Sequence, residues 1–105
     1  MSPTQHVILR GRDSGVHAGY IVGTEKIGET EFFIVERARR LWRWCAVGGI
    51  SLSDLAQNGL DYGRSKISCE ATVRLRTTDV SEVISTTAAG GESIRNAPVA
   101  QNTVS

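Results

Sequence analysis

"ERARRLWRWCAVGG", residues 36–49, carries four arginines and both of the chain's tryptophans between Arg37 and Trp44. Its conformation decides the fold. On a helix, Ala38, Leu41, Trp42 and Cys45 form one apolar stripe with Arg39, Arg40 and Arg43 opposite, an amphipathic pattern that periodicity alone slightly prefers. As a strand, the segment puts Arg40, Trp42 and Trp44 on one face and Arg39, Leu41 and Arg43 on the other. Gly48 and Gly49 end either element.

Upstream the chain reads as strand. "HVILRGR" sets Val7 and Leu9 against His6, Ile8 and Arg10, and "GVHAGYIVG" alternates Val16, Ala18, Tyr20 and Val22 with His17, Gly19 and Ile21. Between them "RDSG" has turn-forming residues, so an antiparallel hairpin is the economical connection. A turn at "GTEKIGET" feeds Phe32 to Val35, an apolar run suited to a strand buried on both faces. Glycines 15, 19 and 23 suit turns, bulges or close strand approach.

Downstream, "SLSDLAQNG" predicts a short helix. Ser51 and Asp54 make a capping box, Leu52, Leu55 and Ala56 supply the buried stripe, and Gly59 takes the C′ position. "ATVRLRT" alternates Val73 and Leu75 inward with Arg74 and Arg76 outward, and "DVSEVIST" offers one more strand. "AAGGESIRNA" holds one helical turn at best, because Gly90 and Gly91 weaken it. "PVAQNTVS" reads as a polar tail, loose unless it docks on the body or on a partner. The expected architecture is α+β: one domain over residues 1–97 and a tail over 98–105. It is mainly an antiparallel sheet or partly open barrel of about five or six strands, with a short helix near residues 52–58.

Composition narrows the function classes. The 105 residues carry a formal net charge of +1, with 12 basic and 11 acidic side chains, so no global field steers the protein to nucleic acid or an anionic membrane. Double-stranded DNA is therefore an unlikely partner, despite six arginines between Arg10 and Arg43. Any electropositive site must be local. Ten of the 12 basic residues are Arg, whose planar fork makes bidentate contacts with phosphate and carboxylate. The start, "MSPTQHVILRGRD", lacks a basic stretch followed by a long apolar run, and no segment is apolar over a bilayer's span, so a cytoplasmic protein is expected. Cys45 and Cys69 are read as small buried hydrophobes rather than a disulfide. His6, His17 and the two cysteines lack the close paired spacing of zinc ligands, and no nucleophile elbow, metalloprotease motif or phosphate-binding glycine loop is present. No catalytic residue, metal or cofactor is assigned.

Four stretches together, "VILRGRDSGVHAGY", "ARRLWRW", "SLSDLAQNG" and "SIRNAPV", resemble a family of small bacteriophage and prophage proteins. Its pattern is R-x-x-x-x-G-V-x-x-G, then A-R-R-[IL]-W-x-W, then S-L-S-x-L-A-x-x-G. The resemblance covers most of the chain and implies a phage accessory gene acting in the host bacterial cytoplasm, with no mechanism attached. It also favours the strand over the helix for residues 39–45, since such relatives place β-branched or aromatic residues around the Trp pair. The chain departs from that pattern at Arg43, where an aromatic residue is common.

The candidate ligand-binding set is Arg10, Arg12, His17, Arg39, Arg40, Trp42 and Trp44: guanidiniums for a phosphate, an indole to stack on a base. The expected role is a non-enzymatic accessory protein that binds a host component. A nucleotide-derived defence signal is one candidate ligand, held by a homo-oligomer that joins two such faces. The alternative is a protein-interaction or virion-associated module with Trp44 and the tail in the interface. A competing structural account has Trp42 filling the core, Trp44 capping its edge, and the arginines in solvent or paired with Glu31 and Glu36.

Overall fold

The computed structural model describes residues 4–101. The chain's first three residues and the tail beyond Gln101 lie outside the described residues, and with them parts of the expectations for the start and the tail. The elements are β1 (His6–Gly11), β2 (Val16–Ile27), β3 (Thr30–Arg43), α1 (Leu52–Asn58), a single 3-10 turn (Tyr62–Arg64), β4 (Lys66–Ile67), β5 (Ala71–Arg76), β6 (Val80–Ser85) and α2 (Ala88–Arg95). All strand pairs are antiparallel, in the order β4-β3-β2-β1-β6, with β5 on the first half of β3. A tight turn at 77–79 joins β5 to β6 although they lie at opposite edges of the sheet. The six-stranded sheet therefore curls, with an open seam where those two strands do not pair.

The curl gives the sheet two differently packed faces. Its inner face gathers Val7, Leu9, Val35, Ala38 and Leu75. Its outer face carries Ile8, Ala18 and Leu41 against Leu52, Leu55 and Ile94 of the two helices. The alternation read in β1, β2 and β5 matches this division. Phe32, Phe33 and Ile34 are only half-buried, so that stretch is not covered on both faces. β3 pairs with too few layers over it there.

The decisive segment is a strand as far as Arg43. Pairing with β2, β4 and β5 satisfies its backbone groups along most of its length, which outweighs a helical periodicity with no comparable burial to offer. Two bulges interrupt it. Tyr20 faces Glu36 and Ala18 faces Arg39, so Arg37 and Ala38 together oppose Gly19. Arg37 takes the extra residue's conformation with φ 52°, and a Cβ on Gly19 would lie 2.8 Å from the Glu36 carbonyl oxygen. Farther on, Leu41 faces Ile67 and Arg43 faces Lys66, so Trp42 and Arg43 share one partner on β4.

α1 forms as expected. The Asp54 amide donates to the Ser51 hydroxyl at 3.2 Å and the Ser51 amide to the Asp54 carboxylate at 3.1 Å, while Gly59 ends the helix at φ 92°. α2 corrects the expectation of a single turn, since it runs for 8 residues. Thr87 caps it by accepting from the Gly90 amide at 3.0 Å. Gly90 and Gly91 are buried, and a Cβ on Gly90 would collide with the Ala56 carbonyl oxygen. The glycines that lower helix propensity thus permit α2 to seat on α1, and burial of Ile94 stabilises by about 2 kcal/mol against a propensity cost of about 1 kcal/mol per glycine. Part of the tail is docked: Val99 bridges to Ile67, and the Ala100 amide donates to the Ile67 carbonyl at 2.9 Å. Both cysteines are free, Cys45 half-buried and Cys69 exposed, which corrects the reading of both as buried.

Candidate functional site

The seven residues singled out in the sequence fall into four places. Arg39 lies inside the fold at 4% exposure. Its Nε donates to the Ser68 carbonyl at 2.8 Å, and its Nη1 to those of Ile94 at 2.9 Å and Arg95 at 3.2 Å. It ties the C-terminus of α2 to the sheet, where a cation also meets the negative end of the helix dipole. Ligand binding is not its task. Arg12 is exposed on the β1–β2 turn, its amide donating to the Asp79 carbonyl at 2.9 Å. Arg10 and Trp44 line a cleft with Val16 and Leu52 on the helix side, where Arg10 reaches Glu82 at 3.6 Å.

The tryptophans reverse the roles of the structural account. Trp44, half-buried, packs against the outer-face core, whereas Trp42 is 64% exposed. They do not share a face, because Trp44 falls beyond the end of β3, where strand alternation no longer governs direction. Among the described residues, Glu31 and Glu36 pair with no arginine. Arg37 instead pairs with Glu70 at 2.9 Å and Arg74 with Glu25 at 3.1 Å.

What converges is Arg40, Trp42 and His17. The Arg40 guanidinium carbon sits 3.8 Å from the Trp42 ring centroid, a cation–π stack. Arg40 faces His17 across the β2–β3 ladder and lies over the β1–β2 turn, where Gly15 at φ 82° leaves it room: a Cβ there would be 3.2 Å from Nη2. Among the described residues no carboxylate pairs with Arg40 and no acceptor takes its guanidinium N–H groups, while its backbone amide donates to the Ser68 hydroxyl at 2.7 Å. His17 is 7% exposed, and its Nδ1 is buried without a hydrogen-bond partner. Burial first, and the Arg40 charge second, hold its pKa below the ordinary imidazole value. The ring is therefore neutral at pH 7.

The second bulge adds residues that the sequence reading passed over. By register, Trp42 and Arg43 both oppose Lys66. Neither Arg43 nor Lys66 has an ion pair among the described residues. Trp42 and Lys66, with Cys69 and Val99, line an open depression of about 560 Å³. Strict alternation sends Arg43 to the face opposite Trp42, and no residue type in "LWRW" announces the bulge that changes this. The register that sets Arg43 opposite Lys66 was therefore hidden from periodicity. Arg40 stacked on the exposed indole, with Lys66 lining the depression beside it, can hold an anion and stack a planar group.

Among the described residues, no group of three or more His, Cys, Asp or Glu is placed to hold a metal ion, and no helix is long and apolar enough to cross a membrane. A family model described as "Domain of unknown function (DUF6948)" matches residues 4–94. Neither curated proteins nor solved structures give a match.

Proposed function

The chain belongs to the DUF6948 family, and we propose that it is a non-enzymatic binding protein whose Trp42 face takes an anionic ligand bearing a planar group, a nucleotide-derived molecule first among them. One observation carries this reading: the Arg40 guanidinium, with no acceptor among the described residues, is stacked on a 64% exposed indole. Burying that ring would stabilise the fold by about 2–3 kcal/mol, yet it stays outside, with its cation oriented and its donors free. Binding such a guest costs little reorganisation, because the stack already fixes the guanidinium plane.

Calorimetric titration with cyclic and linear nucleotides tests the reading. Binding is expected for the native chain and is expected to fall at least tenfold in Arg40→Ala and in Trp42→Ala, about 1.4 kcal/mol each, but not in Arg12→Ala. A panel with no binding removes the proposal. The resemblance to phage proteins supports the wider role: a phage accessory protein that sequesters a host signal in the host cytoplasm, as a homo-oligomer. Native mass spectrometry of the purified protein reads subunit number and retained small molecule together.

A second reading, a protein-interaction module, is favoured by the loop after β3, where Ile50 is 94% and Val47 48% exposed. Loss of a host-protein complex on Ile50→Asp, with nucleotide binding unchanged, would favour it.

A further inference from the structure

We infer that the guest on the Trp42 face is a single-stranded nucleic acid segment rather than a free nucleotide; this rests on the reading above and names its ligand class. Arg40 covers one side of the Trp42 ring at 3.8 Å. With one side covered and the residue still 64% exposed, the other side of the ring is the open one. Trp42 also lines the depression with Lys66, Cys69 and Val99, a lining that does not include Arg40. A base stacked there places its own phosphate beyond Arg40's direct grasp, since the indole stands between them. Arg40 then serves a neighbouring phosphate, one that a mononucleotide does not have.

The cross-strand pair points the same way. Arg43 and Lys66 are direct register partners, and like charges set opposite each other destabilise a sheet. Neither has a carboxylate partner among the described residues. A chain of phosphates passing the indole relieves that repulsion and occupies cations on both sides of the ring at once. Among the described residues the depression is open, as suits a continuous strand entering and leaving; a small molecule held tightly is usually buried over most of its surface. An aromatic platform among cations that track a backbone is the general design of sequence-tolerant single-strand binding. The near-neutral net charge confines the effect to this face and leaves little attraction for duplex, whose bases are stacked away from the indole.

The experiment is a fluorescence anisotropy titration of a labelled single strand of about 10 nucleotides, as DNA and as RNA. Adenosine monophosphate, inorganic phosphate and the matching duplex serve as competitors. The strand is expected to bind at least tenfold more tightly than the mononucleotide or the duplex. Engaging three phosphates gives a log–log salt slope of about −2, hence a loss of roughly 15-fold between 50 and 200 mM salt. Trp42→Ala and the double variant Arg43→Ala/Lys66→Ala each lose tenfold or more, while Arg12→Ala is unchanged. Equal affinity for mononucleotide and strand overturns this inference and leaves the nucleotide reading intact. Equal affinity for duplex and strand overturns it too. Binding by none of the probes overturns both.

Discussion

The Thr86 hydroxyl donates to the His6 carbonyl at 3.0 Å and lies 2.9 Å from His6 Nδ1. With its one proton spent on the carbonyl, that hydroxyl accepts from the ring, so Nδ1 carries a hydrogen. Burial, then Arg95, then Arg37 lower its pKa from 6.5 to about 4. The folded value lies below the unfolded one, so the unfolded chain takes up the proton first as pH falls. Stability from this group is complete above pH 6.5 and lost between 6.5 and about 4. His17, lowered in the same direction, adds to the loss. Allowing for solvent screening, His6 accounts for about 2 kcal/mol. Denaturant melts across that window are expected to fall steeply for the native chain and to flatten for His6→Asn; parallel curves would contradict the assignment.

Arg39 and Arg40 are neighbours with opposite fates. Arg39→Met strips the Ser68 carbonyl of its donor and leaves the Ile94 carbonyl to backbone amides such as that of Ala97 at 3.3 Å, and is expected to cost about 3 kcal/mol. For a domain of this size that lowers the melting temperature by more than about 10 °C. Arg40→Met, half-buried beside Trp42 with no acceptor on its guanidinium among the described residues, is expected to stay within about 0.5 kcal/mol. Thermal melts of the two variants side by side decide this, and equal melting temperatures would refute the anchoring role of Arg39.

Gly90→Ala sets two effects against each other. Helix propensity favours alanine by about 1 kcal/mol, but the added methyl meets the Ala56 carbonyl oxygen, and overpacking of that kind costs about 1–3 kcal/mol. Contact is expected to win, with a net loss of up to about 2 kcal/mol by chemical denaturation. A stabilised variant would show that α1 and α2 are less closely seated than described.

Lys66→Glu separates stability from binding. It turns the repulsive pair with Arg43 into an attractive one and is expected to raise stability by about 0.5 kcal/mol. The same change puts a negative charge in the depression beside Trp42 and is expected to weaken strand affinity at least tenfold. A variant that is both more stable and fully competent to bind would remove Lys66 from the site.

Much of the fold was legible because its signals are local. Alternation in "HVILRGR" and "ATVRLRT" assigned residues to the correct sides of the sheet, and Ser51 with Asp54 announced α1. α2 was not legible: Gly90 and Gly91 argue against a helix until the Ala56 carbonyl they accommodate is known. The site divided along the same line. Arg40 and Trp42 share a face once residues 39–45 are read as a strand, which the family resemblance favoured over a helical periodicity; the same alternation wrongly set Trp44 beside them. Arg39 counts as a ligand group only while its inward direction is unknown, and Arg43 with Lys66 joined the face through a bulge that depends on a partner 23 positions away.

β3 resembles two reading frames spliced at Arg37. Val35 and Ala38 both sit in the inner-face core although three positions separate them, because the residue at φ 52° absorbs the odd count. Losing codon 37 would leave both halves in phase with β2. Losing codon 38 instead would bring Arg39 to the inner-face place of the Ala38 methyl, so the strand tolerates a length change at one place and punishes it at its neighbour.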